Sequence, residues 1–93
     1  MIIGTVEFDL HLPGVHSLKE KRGRLKSLLA RVRNKFNVSI AEVGMNDNLR
    51  MAQIGAAVVS NDKAFVDKTI ARIASMIGNE PEMYISDYRV EII

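Results

Sequence analysis

Apolar and polar residues alternate along the first stretch of the chain. Ile2, Val6, Phe8, Leu10 and Leu12 fall on one side, and Ile3, Thr5, Glu7, Asp9 and His11 on the other. A period of two with one apolar face predicts a half-buried strand, closed by Pro13-Gly14. Ser17 followed by Glu20 then has the spacing of a capping box, S-L-K-E. From there the period changes. Leu18, Leu25, Leu28, Leu29, Val32 and Phe36 recur at helical spacing and form one narrow apolar stripe. Residues 37–43 (NVSIAEV) predict a second strand, 44–50 (GMNDNLR) a loop and 51–60 (MAQIGAAVVS) a third strand. Asn61 or Asp62 can cap a second helix, whose Val66, Ile70, Ile73 and Ile77 keep one face apolar. Gly78-Asn79 stops that helix, Pro81 lies beyond it, and residues 82–93 predict the last strand.

The order β-α-β-β-α-β, in two similar halves, predicts an α+β fold of the ferredoxin-like kind. This is a four-stranded antiparallel sheet with both helices on one face. The 93 residues suffice for one domain, 1–93, with a single modest core. In this topology strands one and three are central. Strand three is apolar or small on both sides, with Ile54, Ala56 and Val58 on one and Met51, Gly55, Ala57 and Val59 on the other. One side packs on the helices; the other faces water unless something covers it. A second copy of the chain is the simplest cover, so a homodimer through the open sheet face is expected. A small, tolerated apolar patch is the alternative.

Composition narrows the chemistry. With no cysteine, thiolate catalysis, disulfides and cysteine-held metals are excluded. The start, MIIGTVEFDL, lacks the cationic region of a signal peptide, and no apolar run approaches the roughly 20 residues of a membrane span. A soluble cytoplasmic protein without membrane association is the expectation. The chain carries no nucleophile elbow, no H-E-x-x-H, no Walker loop and no dinucleotide fingerprint, so no cofactor and no enzymatic activity are expected. Asp9 and His11 share a strand face and can be read as an acid–base pair or part of a metal site. A charged pair on a strand surface is the simpler reading, and spacing supplies no third ligand.

Charge changes the picture more. Net charge is +2, yet residues 19–35 hold eight of the 13 basic residues against one acid, Glu20, giving that segment +7 and the remainder −5. On a helical wheel Lys19, Arg22, Lys26 and Arg33 make one ridge, and Arg24, Arg31 and Lys35 a second. Gly23, Ser27, Ala30 and Asn34 form the low strip between them. Such a helix can lie along a phosphate backbone. Lys21 borders the apolar stripe, so its stem is expected to pack while its ammonium reaches out. Two readings stay open: Lys19, Lys21, Arg22, Arg24, Lys26, Arg31 and Arg33 bind nucleic acid, or the helix is only a solvated face and the protein is a homodimeric protein-interaction module. Base stacking on the sheet is not expected, because strand three has no aromatic residue and the outer face of strand one carries Glu7 and Asp9. Tyr84 and Tyr88 are expected on one face of the last strand. The 44–50 loop has the Asn-Asp-Asn composition of a turn.

The blocks HSLKEKR (16–22), RVRNKFNVSIAEV (31–43) and IGAAVVSND (54–62) resemble the YlxP-like family, also called domain of unknown function 503, over essentially the whole chain. The resemblance implies a compact bacterial protein of ferredoxin-like fold. Its members are often encoded beside ribosome-binding factor A and translation initiation factor 2, which implies partners such as ribosomal RNA or the small ribosomal subunit. It supplies no catalytic residues. Family members often have tryptophan where this chain has Leu49 and Gln-Arg where it has Arg50-Met51, whereas Asp47 and Ala52 match. The leading expectation is therefore a non-catalytic RNA-binding protein of ribosome assembly or translation.

Overall fold

A computed structural model describes residues 1–93 and orders the elements as β1 (Ile2–His11), α1 (Leu18–Lys35), β2 (Ser39–Gly44), β3 (Met51–Ser60), α2 (Lys63–Gly78) and β4 (Tyr84–Ile92). The strands form one antiparallel sheet in the order β2-β3-β1-β4, with β1 and β3 central as the sequence pattern requires. The fold is α+β and ferredoxin-like. No helix is long and apolar enough to cross a membrane.

Each helix begins where its cap dictates. The Ser17 hydroxyl accepts from the Glu20 amide at 3.1 Å, and the Asp62 carboxylate accepts from the Ala64 amide at 2.9 Å. The capping box is only half built, since the Glu20 carboxylate turns instead to Arg24, 3.2 Å away. The core lies between the sheet and the helices. Val6, Phe8 and Leu10 of β1, Ile54, Ala56 and Val58 of β3, and Ile40 of β2 meet Leu25, Leu28, Leu29 and Val32 of α1 and Val66, Ile70, Ile73 and Ile77 of α2. At Gly4 the sheet and α2 come so close that an added Cβ would overlap the Val66 side chain and lie 2.9 Å from Ile70 Cδ1.

One expectation about the last strand is corrected. Asp9 pairs with Asp87, but Leu10 pairs with Ile85, so Ser86 is an extra residue, a β-bulge. The inserted residue inverts the alternation. Tyr84 lies on the open face with its ring stacked on His11 (centroids 5.0 Å apart), whereas Tyr88 lies on the helix side against Phe8 (5.8 Å). The two tyrosines do not share a face.

Candidate nucleic-acid interface

The cationic helix α1 is sorted by its neighbours into three sets. The first is Lys21 alone. Its position toward the stripe buries the whole side chain, and Nζ donates to the carbonyls of Met45 and Asn48, each at 2.7 Å. Glu42 of β2 stands opposite, with Oε2 3.1 Å from Nζ; the contact is an ion pair rather than a directed hydrogen bond. The expectation that this ammonium reaches outward is therefore wrong. A lysine stem follows the apolar stripe, and here it ends on carbonyls and a carboxylate that satisfy the charge internally, leaving no part of it for a phosphate. The acceptors belong to the β2–β3 turn, where Met45 has φ +58, a left-handed conformation rare for a branchless apolar residue. The Asn48 side chain also closes this turn, accepting from the amides of Arg50 and Met51 at 3.0 Å. Leu49 is half-buried and packs against the core.

The second set faces α2 and the segment before β4. Arg24 pairs with Glu82 at 2.6 Å and with Glu20, and Arg31 pairs with Glu80. Glu20 is the one acid within the helix; Glu80 and Glu82 come from beyond α2, so their pairing with this ridge has no local signal in the sequence. Glu82 is held at φ +66 while it makes its pair. Lys35, the last member, lies 5.8 Å from the Phe36 ring centroid. The acidic excess of the rest of the chain is thus partly spent on this ridge.

The third set is the opposite flank, on the side of edge strand β2. Lys19, Arg22, Lys26 and Arg33 are exposed, and none has a carboxylate within ion-pair distance. Arg33 Nη2 donates to the Ile40 carbonyl at 2.7 Å, a neutral acceptor that fixes the side chain without cancelling its charge. From Lys19 to Arg33 is about 21 Å of helix at 1.5 Å per residue. Gly23, Ser27, Ala30 and Asn34 beside them are exposed and low, as the wheel predicts.

The sheet's open face is divided. Its β1–β4 half is polar: Arg89 grips Asp9 through two hydrogen bonds of 3.0 and 3.1 Å, and Gln53 adds a third at 3.1 Å. The Arg89 hydrogen bonds hold the Asp9 carboxyl below the usual range, against a smaller opposing effect of burial. Asp9 thus serves Arg89 and Gln53, and His11 stacks on Tyr84, so the two are not joined as an acid–base pair. The apolar part runs along β2 and β3, where Val43 covers Gly55 beside Ala41 and Ala57, and reaches Ile3 of β1 opposite Val59.

A family model described as a protein of unknown function, DUF503, matches residues 3–90. The chain belongs to this family. It is similar to the "Uncharacterized protein YlxP" of Bacillus subtilis (strain 168), with 39% identity over 90 residues, covering 97% of this chain and 98% of that protein. The DUF503 match runs from β1 into β4, so it includes both helices and the whole of the cationic flank.

Proposed function

We propose that the protein is a non-catalytic RNA-binding protein that contacts the phosphate backbone through Lys19, Arg22, Lys26 and Arg33. The observation that supports this reading is the unequal treatment of the two ridges. Carboxylates folded back from residues 80 and 82 neutralise Arg31 and Arg24, while the flank over β2 keeps four exposed cations in a row with no carboxylate within ion-pair distance. Unpaired, aligned, exposed cations are what releases counterions from a polyanion. A merely solvated face gains nothing from such segregation. Arg24 and Arg31 belong to the border of the site and Lys21 to its foundation. The link to ribosome assembly or translation rests on the family resemblance, with ribosomal RNA or the small subunit as the partner. Co-sedimentation with ribosomes at low and high salt, with and without nuclease, tests the reading. Salt-sensitive, nuclease-sensitive association lost on Arg22→Glu/Lys26→Glu is the expected result. Association that this double variant leaves unchanged would refute it.

A further inference from the structure

The two edges of the sheet are treated differently. Edge strand β2 spans only six residues, is interrupted at Val43 where its register with β3 shifts, and has its Ile40 carbonyl taken by Arg33. These are the devices that keep an edge from pairing with another strand. Edge strand β4 spans nine residues and has no proline or lysine. Its only bulge, Ser86, lies near its start, and from Asp87 onward its pairing with β1 is regular. Ile93 and Ile3 exchange both backbone hydrogen bonds, at 2.7 and 3.1 Å, so by alternation Arg89 and Glu91 turn their backbone groups to β1. Tyr88, Val90 and Ile92 turn theirs outward. The side chains above that edge are apolar: Tyr88 and Val90 are 52% and 46% exposed. With Ile70, Ala71 and Ala74 of α2 they line a groove of about 200 Å³, with Asp67 at its rim.

We infer that β4 pairs antiparallel with β4 of a second copy, joining two sheets into one of eight strands with all four helices on the same side. The charges along the strand select this occupant and its register. A two-fold axis normal to the sheet keeps faces together, so residues whose numbers sum to an even value oppose each other. A sum of 178 sets Arg89 against Arg89 and Asp87 against Glu91, and 182 sets Glu91 against Glu91. A sum of 176 carries the pairing into the bulge at Ser86. A sum of 180 sets Arg89 opposite Glu91 twice, Tyr88 opposite Ile92 twice, and Val90 on the axis. Glu91 has no ion-pair partner within its own chain, and this register gives it one. The Tyr88 amide, now bonded to the Asp87 carboxylate at 2.9 Å, exchanges that exposed contact for the Ile92 carbonyl of the second copy. This interface is separate from the RNA reading and leaves both α1 flanks at the outer ends of the assembly. It also differs from a dimer through the open sheet face.

Sedimentation velocity over a concentration series tests it. The full chain should run at twice its 10.4 kDa mass. Val90→Pro removes only an outward amide that β1 does not use, and Glu91→Lys sets a cation opposite Arg89. Each should give a monomer with unchanged far-UV circular dichroism, while Ala57→Glu on the open face should stay dimeric. A monomeric wild type overturns the inference, and so does a dimer that survives Glu91→Lys or is lost only with Ala57→Glu.

Discussion

The Lys21 ammonium lies 3.1 Å from the Glu42 carboxylate, and none of the lysine side chain is exposed. Two turn carbonyls complete its surroundings, so one lysine of α1 ties β2 and the β2–β3 turn to the helix. Lys21→Met leaves a carboxylate that is only 17% exposed, and two carbonyls, without their cation. Breaking such a pair from one side costs about 3–5 kcal/mol. Urea denaturation should show a loss of that order for Lys21→Met, partly recovered in Lys21→Met/Glu42→Gln. Exposed Lys19→Met should shift stability by no more than about 0.5 kcal/mol. Equal effects of the two methionine variants would mean that Lys21 is not buried.

The Asp9–Arg89 pair makes a prediction in acid. Because the folded-state Asp9 carboxyl titrates below its ordinary value of 3.8, the pair adds stability that is complete well above that pH. It is lost as the pH falls through the lower folded value. Thermal melts from pH 6 downward should therefore decline less steeply below about pH 4 for Asp9→Asn than for wild type. Parallel acid limbs would show that Asp9 is not held in its ionised form.

Gly4 sets the distance between β1 and α2. A methyl group there has no room beside Val66 and Ile70, both of which are buried. Gly4→Ala should destabilise by about 1–3 kcal/mol, the usual cost of overpacking a filled core. Gly14→Ala, where an added Cβ meets nothing, is the control, expected near neutral in the same chemical denaturation.

Much of this architecture is legible in the chain because period and punctuation agree. The strict alternation of β1, the Ser17 and Asp62 caps and the stop at Gly78-Asn79 are all local signals, and each falls where the structure has it. What was missed is non-local. The bulge at Ser86 has no composition signal; it is visible only as a slip between β1 and β4, and it moved Tyr88 to the other face. Glu82 and Glu80, which pair with Arg24 and Arg31, come from beyond α2. Lys21 carried one usable sign, its place at the margin of the apolar stripe with Glu42 on the helix-facing side of β2. A stem that packs there has no path outward unless the neighbouring turn is open, and this turn closes over it.

The direct test of the phosphate-binding flank is the slope of log Kobs against log salt concentration for a ribosomal RNA fragment, measured by filter binding. Four cations meeting phosphates predict a slope of about −3 to −4. Replacing Arg22 and Lys26 by glutamine should make it shallower by nearly 2 and weaken binding, whereas glutamine at Arg24 and Arg31, whose charges are already paired, should change the slope far less. A slope that both double variants reduce equally, or that neither alters, contradicts the account.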